Sequence, residues 1–286
     1  MTLGEAQKKA QQLLKTKKIS SPQIDSELIL RFVLKKSKEY LFTYPEKKLT
    51  TKQEKTFFSL IKKRSTNFPV AYLLQKKEFF GHRFFVNANV LVPRPETELL
   101  VEASKKILTE NKKIQTIAEI GTGSGCLIIS LFLEMKNKKR QWLAVDKSAS
   151  ALCVAKKNSR QLNAKIKFIQ GDLLKPLKNK KIDLLVANLP YLDKNIAKKF
   201  KTSAQKSLLF EPKIALYAPN HGLALFEKLF HQISQLTHQP QHLLLEIGHD
   251  QAEPLQKITK KILPNYRTKT HLDWHGFDRI LHCEKF

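Results

Sequence analysis

Glycine is missing from most of the first quarter of the chain. None lies between Gly4 and Gly81, which excludes a flexible arm there and leaves a compact helical section. Cysteine is scarce: Cys126, Cys153 and Cys283 are too few and too scattered for a disulfide framework or a zinc cluster. The longest apolar run, near CLIISLFLEM, falls far short of the roughly 20 residues that span a bilayer. The opening MTLGEAQKKAQQLL is polar and lacks the apolar region of a secretory signal. These absences predict a cytoplasmic protein without a membrane segment. Acidic residues are few as well, 25 against 52 Lys and Arg, for a net charge of +27. Such an excess is the electrostatic footprint of phosphate binding. Yet arginine, the side chain best shaped for phosphate and base edges, contributes only 8, and the 44 lysines are spread over every segment. Composition bias and an anionic partner such as RNA or a ribosomal complex account for this charge equally well, so direct nucleic-acid contact stays open.

What is present suffices for a core: 286 residues, 42% of them apolar, make one or two domains. Residues 1–75 read as a helical domain. Leu3, Ala6, Ala10, Leu13 and Leu14 recur at helical spacing, Ser21-Pro22 opens a second helix carrying Ile24, Leu28 and Phe32, and Phe57, Phe58 and Ile61 mark another. A β-hairpin connector follows over 76–93, with EFFGHRFFVN as two short strands around Gly81-His82. From 94 to 286 the chain alternates strands and helices. Strand candidates are 116–120, 141–145, 166–170, 182–187, 242–247 and 279–283, with helices at 124–136, 148–160, 221–237 and 249–262. That alternation predicts an α/β domain, a mostly parallel sheet covered on both faces, which binds ligands at the carboxyl ends of its strands. Two histidine pairs, His238/His242 and His271/His275, have the i, i+4 spacing of helical metal ligands. No carboxylate or cysteine set completes either, the second pair falls in a predicted loop, and no metal is expected. The paired phenylalanines at 57–58, 79–80 and 84–85 are read as core and hairpin packing.

Four segments carry chemistry. EIGTGSGC runs from Glu119 to Cys126, and Gly121, Gly123 and Gly125, with Thr122 and Ser124 between them, form a turn that lets backbone amides approach a ligand. Cys126 in the sixth place makes it a poor match to the G-x-G-x-x-G of hydride-carrying dinucleotide folds. The G-x-G-x-G form after an acid resembles the first motif of class I methyltransferases that use S-adenosylmethionine. Asp146 ends the next strand, where an acid can accept from a ribose diol or merely cap a helix. Asp172, followed by Leu173, ends the third, where an acid can accept from an adenine amine while Leu173 packs on the ring. The fourth segment is Asn188-Leu189-Pro190-Tyr191. A planar amide or aromatic amine has a delocalised lone pair and is a poor nucleophile. Asn188 can accept one of its N–H groups and the main-chain carbonyl of Leu189 the other. Pro190 stiffens the turn and Tyr191 packs beside the planar group.

With these motifs the chain resembles the HemK-type release factor glutamine methyltransferases (PrmC) over essentially its full length. Residues 69–102, with Pro93-Arg94-Pro95-Glu96-Thr97-Glu98 as the sharpest stretch, resemble the family's connector. LLFEPKIALYAPNHGLALF at 208–226 resembles the segment that follows the catalytic loop, and LLLEIGHDQ and GFDRIL also correspond. The resemblance implies a Rossmann-like class I methyltransferase domain with a mostly parallel seven-stranded sheet. It implies S-adenosyl-L-methionine as cofactor and S-adenosyl-L-homocysteine as product. The substrate it implies is the glutamine of the GGQ motif in a class 1 peptide chain release factor, which the helical domain would help to hold; a monomer is expected. It implies catalytic roles for Asn188, Leu189 through its carbonyl, Pro190 and Tyr191. Cofactor contacts are expected from Glu119, Gly121, Thr122, Gly123, Ser124, Gly125, Asp146, Asp172, Leu173 and Asn188, and pocket roles for Arg94, Pro95, Glu96 and Thr97. Arg94 could equally be an ion-pair partner of Glu96 or Glu98. The chain departs from the family at Leu189, where N-P-P-Y is usual, at Glu119, where Asp is frequent, and at Leu173, an aromatic in some members. It departs again at Phe68 and at Gln75-Lys76, where glycine-containing turns are expected. Rival readings are an adenine-amino methyltransferase acting on RNA or DNA, a sister enzyme modifying a ribosomal protein glutamine, and a non-catalytic relic of the fold that docks on ribosomes or RNA.

Overall fold

The computed structural model describes residues 1–135 and 139–286. The chain divides into two compact units, one of Met1–Lys76 with Ala197–Phe210 and one of Lys77–Ile196 with Glu211–Phe286. The stretch 197–210, grouped above with the α/β domain, therefore packs with the helical unit. Helices in the first unit are Leu3–Thr16, Pro22–Leu34, Lys38–Thr43, Thr51–Arg64, Val70–Leu74 and, from the returning stretch, Ser203–Ser207. Three of them start on capping boxes, Thr2 with Glu5, Thr50 with Gln53 and Thr202 with Gln205, each satisfying two otherwise orphaned amides. Leu14, Ile29, Leu30, Phe57 and Ile61 are fully buried at the centre. The second helix does not bury the stripe read from its sequence: Ile24 is 62% and Phe32 41% exposed, while Asp25, Ser26, Ile29 and Leu30 face inward. The inward face is instead Ile29 and Leu30, with Leu28, Val33 and Leu34 packed at its edge, and on the same side Arg64 Nε donates to Asp25 Oδ2 at 2.6 Å with both side chains buried. Arg64 also donates to the Phe68 carbonyl at 3.3 Å. Near the two places where glycine was expected, Asn67 and Gln75 adopt positive φ, 70° and 53°, so the turns keep their shape without it.

In the second unit β1 (Lys76–Phe79) and β2 (His82–Phe85) form the hairpin, turning through Phe80 and Gly81. The sheet strands are β3 (Thr116–Ile120), β4 (Gln141–Asp146), β5 (Lys167–Gln170), β6 (Leu184–Asn188), β7 (His242–Glu246), β8 (Tyr266–Leu272) and β9 (Asp278–Lys285). Their order is β5-β4-β3-β6-β7-β9-β8, parallel except that β9 runs antiparallel to β7 and β8. The seven-stranded sheet is as expected, and β8 is the strand missing from the sequence candidates. Its YRTKTHL is half-exposed and polar, as an edge strand is, so it lacks the apolar run that marked the others. Alternate side chains of the central strands feed two cores. Ala118, Val145, Leu185 and Leu245 face one side with Phe226, Phe230 and Leu255, whereas Ile117, Ala144, Val186 and Leu244 face the other with Leu100, Leu108 and Leu131.

The predicted helices are Cys126–Glu134, Ala149–Gln161, Ala224–Ser234 and Ala252–Ile262; residue 136 of the first prediction lies outside the described residues. A further helix, Glu98–Glu110, follows the PRPETE stretch. Phe57, Phe79 and Phe84 are fully buried, as read from their pairing. The histidine pairs are not helical: His242 lies on β7 and His271 on β8, not in a loop. His242 instead meets His282 at 3.2 Å, with Glu284 4.0 Å from the same ring nitrogen. Lys269 adds positive charge beside these imidazoles, and burial holds both histidines below their ordinary pKa. Among the described residues no helix is long and apolar enough to cross a membrane.

Removing one partner of a buried ion pair strands the other, at a cost of about 3–5 kcal/mol. Arg64→Ala should therefore lower the urea midpoint of the full chain, while Asp25→Leu with Arg64→Met should recover most of the loss.

Candidate active site

Strand order reverses between β3 and β6. From β3 the chain winds outward through β4 to β5, then returns to lay β6 on the other side. Loops leaving the carboxyl ends of two such strands diverge and open a crevice. Here the glycine loop leaves β3 and Asn188-Leu189-Pro190-Tyr191 leaves β6. They are close neighbours: a Cβ at Gly121 would stand 3.3 Å from Leu189 Cδ2 and 3.7 Å from the Asn188 carbonyl oxygen. Between and around them lies a cavity of about 280 Å³, whose walls include Arg94, Thr97, Asp146, Leu173, Asn188 and Tyr217.

On the glycine side Gly121, Gly123 and Gly125 all take positive φ, 75°, 54° and 78°, a region that strains any residue bearing a Cβ. Their surroundings differ. A Cβ on Gly125 would meet Ile129 Cδ1 at 2.9 Å and Ala155 Cβ at 3.2 Å, whereas one on Gly123 would meet nothing within 4 Å and would occupy cavity space. The Gly123 amide donates to Asp146 Oδ2 and the Ser148 amide to Asp146 Oδ1, each at 2.8 Å, so Asp146 clamps the loop to the end of β4. Burial lifts its carboxyl above the usual range. Glu119 is buried beneath the loop, bonded to Thr122, and burial pushes its pKa up to about 8. Asn158, fully buried, donates to the carbonyls of Ser124 and Phe85 and accepts from the Phe85 amide at 2.7 Å, tying the glycine loop to the hairpin. At the end of β5, Asp172 pairs with Lys228 at 2.5 Å. That hydrogen bond holds its carboxyl below the usual range. Leu173 beside it is buried with φ of 54°.

On the other side the Asn188 side chain is held by a chain of hydrogen bonds. Asn188 Nδ2 donates to Thr97 Oγ1 at 2.9 Å, and Thr97 Oγ1 donates to Glu246 Oε2 at 2.6 Å. Tyr191 donates its hydroxyl to Glu246 Oε1 at 3.3 Å. Glu246 is the strand partner of Asn188 in the β6–β7 register. Burial raises its pKa to about 7, against the pull of Thr97, Arg279 and Tyr191. Asn188 lines the cavity, and with Nδ2 bonded to Thr97 its Oδ1 has no hydrogen bond from a described residue. Leu189 is buried against Gly121. The backbone after it is pinned by Gln251, which donates to the carbonyls of Tyr191 at 3.1 Å and His221 at 3.0 Å.

Of the connector residues, Arg94 and Thr97 line the cavity and Pro95 and Glu96 do not. Arg94 pairs with neither Glu96 nor Glu98. Its guanidinium reaches Glu211 at 2.5 Å, and Glu211 also accepts from the Val92 amide at 2.9 Å, while Glu98 is engaged by the Phe80 amide. Pairing with Glu211 holds Arg94 at the cavity wall. Tyr191 stands behind that wall rather than on it, turned to Glu246. Sequence reasoning gave Glu246, Glu211, Lys228, Asn158 and Gln251 no role. The signal for Glu246 was there, a lone acid inside the apolar strand HLLLEI.

The PrmC N-terminal domain family model matches residues 5–74 and the methyltransferase small domain model residues 95–245. A release factor glutamine methyltransferase of Coxiella burnetii is 36% identical over 285 residues, covering 98% of this chain and 98% of its own. The chain belongs to the release factor glutamine methyltransferase family. The family's Enterococcus faecalis member is 38% identical over 219 residues, 77% of this chain and 76% of its own. Among solved structures, the human METTL16 catalytic domain in complex with a MAT2A 3′UTR hairpin superposes with a TM-score of 0.59 at 16% identity. It covers 78% of this chain and 81% of that one. The N-terminal domain of human METTL16 in complex with SAH gives 0.52 at 17% identity, over 72% and 77%. These likenesses show the shared fold. Membership makes the chain an S-adenosylmethionine-dependent methyltransferase, and the cavity suits such a cofactor: the space beyond Gly123 is open, carboxylates end β4 and β5, and Leu173 supplies an apolar wall.

The contrast between two glycines is testable. Gly125→Ala should destabilise the methyltransferase by about 1–3 kcal/mol, through positive-φ strain and overpacking, visible as a lower melting temperature without ligand. Gly123→Ala should cost less in the free enzyme and instead shrink the rise in melting temperature on adding S-adenosylmethionine.

Proposed function

We propose that this methyltransferase modifies the side-chain amide nitrogen of the glutamine in the GGQ motif of a class 1 peptide chain release factor. The observation that carries the reading is the Asn188 amide, whose nitrogen is committed to Thr97 and whose oxygen remains for a ligand in the cavity. A glutamine amide has two N–H groups in one plane. Asn188 Oδ1 accepts one and the main-chain carbonyl of Leu189 the other, which fixes the plane and turns the nitrogen face toward the cofactor. Positioning of this kind accounts for up to about 7–11 kcal/mol of a barrier, and the two acceptors favour positive charge developing on nitrogen. No general base is required, because an N-alkylated protonated amide is a strong acid and loses its proton to water. Tyr191, half-buried behind the cavity wall with its hydroxyl engaged by Glu246, supports the loop from behind instead of packing beside the substrate amide; burial keeps its phenol protonated. Cys126 is no rival nucleophile, since burial pushes its thiol up to about 12.

S-adenosylmethionine supplies the electrophilic methyl group and leaves as S-adenosylhomocysteine. The residues to hold it are Gly121, Thr122, Gly123, Ser124 and Gly125 through their loop, and Asp146 toward a ribose diol. Asp172, oriented by Lys228, and Leu173 face the adenine, and Glu119, buried under the glycine loop, also lines the cavity toward the cofactor. Arg94, set by Glu211, and Thr97 complete the wall near Asn188. The helical unit helps to hold the release factor, the enzyme acts as a monomer, and a translation substrate puts it in the cytoplasm.

Two tubes test the reading, one holding a class 1 release factor and the other total RNA, both with labelled S-adenosylmethionine and mass spectrometry to locate the label. Label on the GGQ glutamine alone is expected, and label on RNA adenine would overturn the proposal. In the same assay Asn188→Ala should lose at least about 100-fold in kcat, in the range for removing one oriented hydrogen-bonding group, with cofactor affinity nearly unchanged by calorimetry.

A further inference from the structure

A carboxamide is nearly symmetric in shape, and its two ends have opposite hydrogen-bonding roles. If Asn188 turned over, it would offer two N–H donors where the proposed substrate brings two N–H donors of its own. The end facing the cavity is therefore decisive, and the Asn188 side chain alone does not determine it. The hydrogen-bond chain behind it does. Glu246, when ionised, only accepts, so the Thr97 hydroxyl must point its proton at Oε2. The Thr97 oxygen then has only lone pairs for Asn188, and only Nδ2 can meet them. The other carboxylate oxygen takes the Tyr191 hydroxyl. One buried side chain thus orients both polar members of the Asn188–Tyr191 loop, from the position opposite Asn188 on the neighbouring strand.

We propose that Glu246, acting through Thr97, is a positioning residue that fixes the polarity of the Asn188 amide, and that its ionisation switches the site between an acceptor-facing and an unbiased state. The proposal rests on the reading of Asn188 as the amide acceptor. A protonated Glu246 can donate to Thr97, whose hydroxyl is then free to give its own proton to Asn188 Oδ1, and the amide can turn over. The groups facing Glu246 are Thr97 and Glu96 from the turn before the helix Glu98–Glu110, Tyr191 from the loop after β6 and Arg279 from β9, with Cys126 of the helix Cys126–Glu134 in its field. Arg279 is itself held by Asp273 at 3.0 Å. Tyr191 and Cys126 keep their protons at neutral pH, so Glu246 is the titrating member of this hydrogen-bond network. Glu119, which acts on Cys126 from under the glycine loop, titrates at about 8, and the Glu246→Gln variant separates the two. The residue is also costly to the fold. A carboxyl whose folded pKa lies above its unfolded value adds stability at low pH, lost as pH rises from the unfolded value near 4.5 through the folded value of about 7. At pH 8.5 the charge is retained at a penalty, as expected of a group kept for function.

The test uses the full-length enzyme, a class 1 release factor and three variants: Thr97→Ser, Thr97→Val and Glu246→Gln. For the parent, kcat should fall through a midpoint near 7 to a lower plateau as pH drops, with little change in cofactor affinity. Thr97→Ser should keep that limb and at least a third of the activity. Thr97→Val should hold kcat near that lower plateau at every pH and so flatten the limb. Glu246→Gln should do the same while melting no lower than the parent at pH 8.5, which separates the effect from unfolding. Persistence of the acid limb in Glu246→Gln, or equal activity of Thr97→Val and Thr97→Ser, would overturn the proposal. If Asn188→Ala remained active on the release factor while the acid limb still moved with Glu246, the reading of Asn188 would fail instead, and the two failures are distinct.

Discussion

The site depends on a carboxylate held inside the sheet. Glu246 closes the carboxyl end of the β6–β7 pairing, opposite Asn188, with about 2% of its surface exposed, where an unpaired charge would cost several kcal/mol. The fold answers with two hydroxyl donors and a guanidinium nearby, drawn from three separate parts of the chain: Thr97, Tyr191 and Arg279. Meeting that one requirement brings the connector, the loop after β6 and the antiparallel strand β9 to a common point. The loop after β6 then inherits its geometry from the sheet, as a site that must be held to fractions of an ångström requires.

The other half of the site is governed by backbone shape. Three positive-φ glycines after β3 turn the chain tightly enough for Leu189 to lie against Gly121, and the pair forms the floor where the strand order reverses. Asp146 and Asn158 lock that loop, one to the end of β4 and the other to the hairpin. The hairpin connector thus serves the glycine-loop side of the cavity, while PRPETE supplies Arg94 and Thr97 to the Asn188 side. Leu189 in place of the family's usual proline removes no hydrogen-bonding group. It buries an apolar side chain on Gly121 and leaves Asn188 and Pro190 in position.

Local pattern carried the elements whose signal is local. The glycine loop, the carboxylates ending β4 and β5, the apolar strands and the hairpin turn are visible because each is a short run of residues with one physical job. Asn188 was legible for the same reason. Its partners were not, because Thr97 and Glu246 are 149 residues apart and Arg94 and Glu211 are 117 apart, and no period or spacing announces such a pairing. Strand β8 escaped because an edge strand can be polar on most of its length. The rotation of the second helix escaped because Ile29 and Leu30, beside a buried Asp25–Arg64 pair, face inward while Ile24 and Phe32 are left exposed. The stretch 197–210 joins the helical unit through Ser207 on the Asn67 carbonyl and Phe210 against Phe68, contacts that close only once both segments are folded.

The central claim is that the charge on Glu246 sets which way the Asn188 amide faces. Nuclear magnetic resonance reads both ends of that chain in one sample. The side-chain carboxyl carbon of Glu246 and the side-chain nitrogen and protons of Asn188 would be followed from pH 5 to pH 9 without substrate. Glu246 should titrate with a midpoint near 7, and the Asn188 amide signals should move with the same midpoint. Asn188 signals that stay fixed while Glu246 titrates, or a Glu246 that is fully ionised across the range, would contradict that claim.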